Sequence, residues 1–390
     1  MVGVCRNTES DQLMKHVAKK QAIVHLIAAA RPNFMKVAPL YHVLKRQPWC
    51  RPVLVHTGQH YDHNMSGAFF ADLELPDPEI HLGVGSGTHG EQTAGVLVAY
   101  EKICIETPPD WVVVVGDVNS TVAATLAAKK LWLPVAHLEA GLRSGDRTMP
   151  EEINRIVTDS IADLLWTPSP DGDENLRREG VAEERIVAVG NIMMDSYELQ
   201  RPKIEAERTN EAFGLEEGNF GVVTLHRPSN VDDRAVLAGL VAQLTDIATR
   251  LPLVFAVHPR TRKQLDQFGL LDDLTAAAGI HLSEPLNYIR FMGLVRAARL
   301  AITDSGGIQE ETTYLDIPCL TLRENTERPI TIAQGTNRLV KPAELAAQVD
   351  QVLAGNWPHG RRPDMWDGKT AGRVAESLRL RLGVDSVAEA

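Results

Sequence analysis

Residues 111–120 read Trp-Val-Val-Val-Val-Gly-Asp-Val-Asn-Ser, an apolar and mostly β-branched run that ends abruptly in glycine and aspartate. A continuous apolar run of this length is typical of a strand buried on both faces, as in parallel sheets covered by helices on either side. A helical pattern follows at residues 121–132. We therefore predict an α/β fold in which the polar residues after the strand lie at the carboxyl edge of a parallel sheet.

The same succession of strand and helix extends in both directions from this stretch. The first series has predicted strands at residues 22–29, 52–56, 111–115, 134–138 and 185–189, with a further helix at 150–165. The second series has predicted strands at residues 220–225, 253–257, 280–282, 300–303 and 319–322. Such alternation indicates βαβ units. We predict two doubly wound, Rossmann-like α/β domains that face each other across a cleft.

The composition between and beyond these series suggests the domain limits. Residues 199–218 are charged and contain proline, which is typical of an interdomain connection. We predict a flexible N-terminal extension (residues 1–20), an N-terminal domain (21–198) and this connection (199–218). A C-terminal domain (219–369) follows, and then a final helix (370–390) that packs back onto the N-terminal domain.

Charge and cysteine content exclude several classes of protein. The chain has 40 Lys+Arg against 51 Asp+Glu, a net charge of −11, which disfavours a broad surface for nucleic acid or anionic membrane. Its apolar runs are far shorter than the roughly 20 residues of a membrane span. Four scattered cysteines give neither a disulfide framework nor a zinc motif. We expect a cytoplasmic protein without metal or nucleic-acid partner.

Polar and charged residues follow the predicted strands of both series at the same edge. Asp117 and Glu139 do so in the first series, and His226, His258 and Asp304 in the second. Ligands of doubly wound sheets bind at this carboxyl edge. The two edges therefore predict an active-site cleft between the domains.

The turn Ser305-Gly306-Gly307 joins a predicted strand to a predicted helix. Unobstructed N–H groups at a helix N-terminus suit a phosphate, although a tight turn without a ligand would also use glycines. Arg31, His226 and Arg328 are candidate cations for a diphosphate. Since no Gly-x-Gly-x-x-Gly follows the first predicted strand, where residues 28–32 read Ala-Ala-Ala-Arg-Pro, and the P-loop pattern does not occur, a dehydrogenase or P-loop NTPase is disfavoured, and we predict no cofactor.

Three carboxylates of the first series are candidates for acid and base catalysis: Asp117, Glu139 and Glu151. Carboxylates that converge in a cleft drive their pKa values apart, so that one accepts a proton while another donates it. Two of them have purely structural alternatives. Asp117 could start a turn, and Glu151 could complete a capping box with Thr148.

Taken together, the motifs resemble the bacterial non-hydrolysing UDP-N-acetylglucosamine 2-epimerases. In chain order they are Arg31-Pro32-x-x-x-Lys36-x-Ala38-Pro39, Thr57-Gly58-Gln59-His60, Gly116-Asp117, His137-x-Glu139-Ala140-Gly141-Leu142-Arg143, Pro150-Glu151-Glu152-x-Asn154-Arg155, Thr303-Asp304-Ser305-Gly306-Gly307-Ile308-Gln309-Glu310-Glu311 and Thr326-Glu327-Arg328-Pro329. The resemblance covers roughly residues 22–340. It implies the two-domain fold of one large class of glycosyltransferases, usually as a homodimer, and a reaction without metal or NAD.

The resemblance also implies a reaction and a set of site residues. In that family the C2 proton is abstracted and UDP expelled to give 2-acetamidoglucal, and UDP and a proton then re-add to form UDP-N-acetylmannosamine. By motif position, the residues that match the family's catalytic groups are Asp117, Glu139, Glu151 and His226. Those that match its nucleotide and diphosphate contacts are Arg31, Lys36, Arg155, Ser305, Gly306, Gly307, Glu311 and Arg328.

Other functions remain open at this point. A 2-epimerase of a modified sugar, such as UDP-2,3-diacetamido-glucuronate, would use the same motifs. A UDP-sugar glycosyltransferase would share the architecture but would need no trio of carboxylates. A catalytically silent nucleotide-sugar sensor is disfavoured because Asp117, Glu139 and Glu151 are all present.

Overall fold

The computed structural model describes residues 21–384, with the exception of residues 30, 59–69 and 71. The predicted extension at residues 1–20 and the end of the chain at 385–390 lie outside the described residues. The side chains of residues 31 and 32 also lie outside the described part of the chain.

The first half of the chain forms a parallel sheet of seven strands. The strands are β1 (Ala22–Ala28), β2 (Cys50–His56), β3 (Ile80–His81), β4 (Trp111–Val115), β5 (Val135–Leu138), β6 (Leu164–Thr167) and β7 (Ile186–Ala188). Their spatial order is β3-β2-β1-β4-β5-β6-β7. The interposed helices are α1 (Arg31–Lys45), α2 (His89–Glu106), α3 (Asn119–Lys130), α4 (Pro150–Ile161) and α5 (Pro170–Arg178). Apolar side chains fill both faces of the sheet, which explains the apolar strand sequences.

The second half forms a parallel sheet of six strands. They are β8 (Gly221–Thr224), β9 (Leu253–Ala256), β10 (Ile280–Ser283), β11 (Leu300–Thr303), β12 (Cys319–Thr321) and β13 (Asn337–Leu339), in the order β10-β9-β8-β11-β12-β13. Both sheets thus have the 3-2-1-4-5-6 strand order of doubly wound nucleotide-binding folds. This confirms the predicted fold class, and each of the ten predicted strands is found within two residues of its predicted ends.

Helices continue through and beyond the second sheet. They are α6 (Ile192–Glu207), α7 (Pro228–Val231), α8 (Arg234–Ala248), α9 (Pro259–Phe268), α10 (Leu271–Ala276), α11 (Tyr288–Ala297), α12 (Gly306–Leu315), α13 (Ile330–Ala333), α14 (Leu345–Leu353) and α15 (Thr370–Arg381). Short 3₁₀ turns occur at Glu183–Arg185, Thr209–Phe213 and Pro342–Glu344.

The predicted helix at 150–165 is wrong in its last turn. Helix α4 ends at Ile161, and residues 164–167 form β6 between β5 and β7. Asp163 ends the helix, because its N–H donates to the Val135 carbonyl (2.8 Å) and its carboxylate accepts from the Val135 N–H (2.8 Å). Leu164 fits the helical apolar spacing, which conceals the change of structure in the sequence.

The most deeply buried face of helix α4 is polar. Ile153, Ile156 and Val157 recur on one face at helical spacing, which is typical of a core face, but Ile156 and Val157 are only half-buried. In the structure Ile153 is 39% exposed, whereas Glu152, Asn154, Arg155, Thr158 and Asp159 are buried. The side of α4 that faces the protein is therefore polar.

Helix α6 packs against both halves of the chain, touching α1 on one side and α11 and α12 on the other. Residue 198, where we predicted the N-terminal domain to end, lies inside this helix. Helix α15 packs on α1, and the Trp166 Nε1–H donates to the Ser377 hydroxyl at 3.0 Å. Helix α6 therefore connects the two halves of the chain, and α15 returns the chain from the second half to the first.

Candidate functional site

The carboxyl ends of β4 and β5 bring Asp117 and Glu139 to one edge of the first sheet. Glu139 directly follows β5 with φ of +70°, a left-handed conformation that is rare for a residue with a side chain. Its side chain is buried and one carboxylate oxygen, Oε2, forms an ion pair with the Lys36 ammonium. Within the described residues the other oxygen, Oε1, has no hydrogen-bond partner. Glu139 thus holds one buried carboxylate oxygen ready for a ligand.

Asp117 is held by a neighbouring arginine. Arg155, on α4, contacts the Asp117 carboxylate through Nη1 and the Glu152 carboxylate through Nη2 at 2.8 Å. Glu152 also accepts the N–H groups of Ser144 (3.0 Å) and Gly145 (2.9 Å). Burial alone would raise the pKa of Glu152, but these N–H groups and Arg155 lower it. Arg155, predicted to contact substrate, is here placed between two carboxylates of its own protein.

Glu151 lies exposed at the start of α4, on the same edge as Asp117. The capping-box alternative for this residue is wrong: α4 has Met149 as its N-cap without a side-chain cap bond, and the Thr148 hydroxyl donates to Asp146 instead (2.6 Å). The Glu151 carboxylate acts electrostatically on Arg227 of the second domain. Burial and Arg323 lower the pKa of Arg227, and Glu151 opposes them from across the cleft.

His226 forms a pair with Asp304 at the facing edge of the second sheet. The His226 Nδ1 lies 2.7 Å from an Asp304 oxygen, and Asp304 is fully buried. The Asp304 carboxylate also accepts the N–H of Arg227 (2.9 Å) and the Asn230 side-chain amide (3.0 Å). Burial would raise the pKa of Asp304, yet these donors lower it. The pair fixes the His226 ring and leaves Nε2 as the nitrogen that can meet a ligand.

The turn Ser305-Gly306-Gly307 lies where the sequence predicted it. Ser305 is the N-cap residue of α12, but its side chain makes no cap bond. A Cβ on Gly306 would lie 2.6 Å from Arg328 Nη1 and 2.8 Å from Glu327 Oε1. A side chain at Gly306 would therefore displace Arg328, so the glycine lets the arginine approach the helix N-terminus.

Arg328 is nearly buried and surrounded by carboxylates. Its Nε lies 2.8 Å from Glu310 Oε1, and its Nη1 contacts Glu327. Burial would lower the pKa of Arg328, but Glu310 and Glu327 raise it well above its usual range. Glu310 also accepts the Asn191 side-chain amide at 2.9 Å, a bond from the first half of the chain to the second. This arginine therefore stays charged beside the glycine turn.

Glu311 is buried deep in α12, next to Tyr288. Burial, with a smaller contribution from Glu310, raises the pKa of Glu311 to about 8, although the Tyr288 hydroxyl opposes the change. Arg31 begins α1, but its side chain lies outside the described residues, as do Gln59 and His60. The structure thus gathers most predicted site residues at the two facing edges, while Arg31 stays untested.

Sequence analysis missed several members of this site. Three of them contact predicted site residues but do not follow a strand: Glu152, Glu310 and Asn191. The expectation that site residues follow the carboxyl ends of strands therefore did not identify them. Glu152 and Glu310 each adjoin a predicted glutamate and stand inside the quoted motifs, and these are the signals that could have identified them.

The described residues contain neither a cluster suited to a metal ion nor a helix suited to cross a membrane. In that part of the chain, no cluster of three or more His, Cys, Asp or Glu could hold a metal ion. Across the same residues, none of the helices is both long and apolar enough to cross a bilayer.

Comparison with known proteins identifies the family. A family model described as UDP-N-acetylglucosamine 2-epimerase matches residues 42–379. A UDP-N-acetylglucosamine 2-epimerase from Methanocaldococcus jannaschii is 43% identical over 363 residues, covering 90% of this chain and 98% of the relative. A UDP-2,3-diacetamido-2,3-dideoxy-D-glucuronate 2-epimerase from Pseudomonas aeruginosa is 36% identical over 357 residues, with the same coverages of 90% and 98%.

A solved structure agrees with these matches. The crystal structure of the Methanocaldococcus jannaschii UDP-GlcNAc 2-epimerase in complex with UDP-GlcNAc and UDP superposes with a TM-score of 0.83 at 39% sequence identity, over 92% of this chain and 99% of that one. Because the family model, the relatives and the fold agree over nearly the whole folded length, we conclude that this chain belongs to the UDP-N-acetylglucosamine 2-epimerase family.

Proposed function

We propose that the protein inverts C2 of UDP-N-acetylglucosamine to give UDP-N-acetylmannosamine. The observation that carries the proposal is that Asp117 and Glu139, at the edge of one sheet, act electrostatically on the charged Arg328, which lies beside a glycine turn at the edge of the other. One side suits proton transfer at a sugar carbon, and the other suits a diphosphate leaving group.

The proposed reaction has two mirrored halves. A carboxylate removes the C2 proton while the bond from C1 to the UDP oxygen breaks, which leaves 2-acetamidoglucal and UDP. The UDP oxygen then re-adds to C1, and C2 receives a proton on its opposite face. No net oxidation occurs, so the chemistry requires proton carriers on two faces and stabilisation of the departing diphosphate.

We assign the proton carriers to Asp117, Glu139 and Glu151. Glu139 is supported by its unpartnered buried oxygen, and Asp117 and Glu151 by their position on the same edge. His226, fixed by Asp304, adds a further group able to exchange a proton or to bind the diphosphate. The substrate contacts we propose are Arg31, Lys36, Arg155, Ser305, Gly306, Gly307, Glu311 and Arg328.

Incubation of the protein with UDP-N-acetylglucosamine in D2O, with EDTA present, tests the proposal. We expect a new UDP-N-acetylmannosamine signal by NMR and deuterium at C2 of both sugars. Release of UDP only when an acceptor is added, without deuterium at C2, would instead indicate a glycosyltransferase.

A second candidate is the epimerisation of UDP-2,3-diacetamido-glucuronate, because the Pseudomonas aeruginosa relative that bears that name matches over 357 residues. The same NMR assay with this substrate decides between the two. The preferred substrate is the one with the higher kcat/KM.

We also propose that the protein is a homodimer. Four large apolar side chains on or just after helices of the first domain are exposed to solvent. We call them the apolar face: Val98 (49% exposed), Ile105 (64%), Trp132 (92%) and Ile153 (39%). Helix α3 packs against both α2 and α4, so the helices that carry or precede these residues are neighbours. Trp132 has φ of +62°, a costly conformation for a bulky residue. An exposed patch of this kind is typical of a protein interface.

Light scattering after gel filtration tests the dimer. We expect Ile105→Glu to give monomers, because a charge would be buried at the interface. Leu380→Glu is the matched control, since Leu380 on α15 is also 64% exposed but lies away from this face. A dimer that persists in Ile105→Glu would contradict the assignment.

A cytoplasmic location completes the proposal. Cys50, Cys104 and Cys319 are buried free thiols, which suits a reducing compartment.

A further inference from the structure

The segment that carries Asp117 is held by side chains at three consecutive carbonyl groups. Each of these carbonyls accepts a hydrogen bond from a buried or partly buried side chain of a different element. The donors are Asn33 (3.0 Å) and Thr121 (3.1 Å) to Val115, His137 (2.8 Å) to Gly116, and Asn154 (2.8 Å) to Asp117. Gly116 turns the chain here with φ of +67°. The turn is thus fixed through its backbone rather than by strand pairing alone.

His137 is the buried centre of this arrangement. Its ring is 0% exposed on β5, between the Gly116 carbonyl at Nε2 and Asp159 at Nδ1 (2.6 Å). A carbonyl can only accept, so Nε2 donates to it. Asp159 also accepts the Gly141 N–H (3.0 Å) and faces Arg143 at 2.8 Å, as a carboxylate would. Nδ1 therefore donates to Asp159, and the ring is fixed at both ends.

The position of His137 excludes direct contact with a ligand in the cleft. It is fully buried, and both of its nitrogens bind groups of the protein. Yet one nitrogen binds the carbonyl of Gly116, directly before Asp117, and His137 lies on β5 two residues before Glu139, which follows that strand. One buried side chain therefore fixes the backbone directly before Asp117.

We propose that His137, oriented by Asp159, is a positioning residue that fixes the Asp117 turn for catalysis. The inference rests on the proposed function, in which Asp117 carries a proton. A proton carrier misplaced by about 1 Å can cost roughly 10²-fold in rate. Loss of the His137 donor should therefore lower kcat while the diphosphate site, built on the other domain, keeps its affinity for UDP.

The test compares two buried histidines of one sheet. His137→Phe removes the donor to Gly116. His25→Phe is the matched control, because His25 is 2% exposed on β1 and bonds Tyr100 (3.0 Å), away from the site. We expect His137→Phe to lower kcat by about 10²-fold with KM and UDP affinity nearly unchanged, and His25→Phe to keep wild-type kcat. Equal losses in both variants, or normal kcat in His137→Phe, would overturn the proposal.

A second measurement does not depend on turnover. In hydrogen exchange followed by mass spectrometry, we expect peptides covering residues 111–120 to exchange faster in His137→Phe than in His25→Phe. Unchanged exchange would refute the positioning role. If the wild type turns over no UDP-sugar, the proposed function fails, and this exchange result alone decides the role of His137.

Two further variants complete the test. Asn154→Leu removes the donor to the Asp117 carbonyl from the edge of α4, and it should lower kcat similarly, so it replaces His137→Phe if that variant does not fold. Asp159→Asn should lower kcat, and the double variant His137→Phe/Asp159→Asn should lose no more than His137→Phe alone, because the two residues act as one unit. Additive losses would contradict the proposed coupling.

Discussion

Replacing Glu311 by glutamine should make the protein more stable at alkaline pH and leave its stability almost unchanged in acid. Burial, aided by Glu310, raises the pKa of Glu311 from 4.5 to about 8. The folded protein therefore favours the protonated carboxyl. Its contribution to stability is complete below pH 4.5 and is lost as the pH rises through 8.

The size of the effect follows from the two pKa values. They differ by 8 − 4.5 = 3.5, and at 1.36 kcal/mol per unit this corresponds to about 5 kcal/mol. Glutamine is neutral at every pH, so Glu311→Gln escapes this loss. Glu311 is only 3% exposed, which means that solvent screening reduces the figure little.

Urea unfolding followed by tryptophan fluorescence, at several pH values between 5 and 9, measures the difference between Glu311→Gln and the wild type. We expect the difference to grow with pH, by up to about 5 kcal/mol above pH 8. Glu217→Gln is the control, because Glu217 is exposed and the same change there should have little effect at any pH. A difference for Glu311→Gln that does not vary with pH would refute the argument.

Three further predictions concern the site itself. Asp117→Asn, Glu139→Gln and Glu151→Gln should each lower kcat by about 10²-fold or more, because each removes a positioned acid or base. Their circular dichroism spectra should stay native. Normal turnover in any one variant would exclude that residue as a proton carrier. Gly306→Leu should abolish UDP binding in calorimetry, because the new side chain would displace Arg328; unchanged affinity would indicate a turn without a ligand. Turnover should be the same with and without EDTA, and loss of activity in EDTA would show that a metal takes part.

The strands could be predicted from the sequence because a buried parallel strand leaves a local signal. Residues 111–115 are apolar without alternation, and the structure buries all of them in β4. Strands β3 and β13 were not predicted, because neither has an apolar run of this kind. Residues 80–81 and 337–339 are short and mostly half-buried or exposed, so their sequences carry no such run.

The positions of the site residues were predictable for a topological reason, and their partners were not. In a parallel sheet, every strand end lies at one edge, so Asp117 and Glu139 could be placed together without any contact information. Their partners come from elsewhere in the chain. Arg155 lies 38 residues beyond Asp117, and Lys36 lies 103 residues before Glu139. Spacing in the sequence gives no indication of such pairs, although they fix the geometry on which proton transfer depends.

Helix α4 shows why apolar periodicity can mislead about which face of a helix is buried. Ile153, Ile156 and Val157 recur at helical spacing, and hydrophobicity alone assigns them to the core. The structure buries the polar face more deeply, because that face supplies Arg155 to Asp117 and Asp159 to His137. Those polar groups are buried only because they are paired. Ile153 is then left exposed, and this residue of the apolar stripe is part of the proposed dimer face. In the proposed assignment α4 faces the site on one side and a second subunit on the other, and the paired polar groups determine which side is buried.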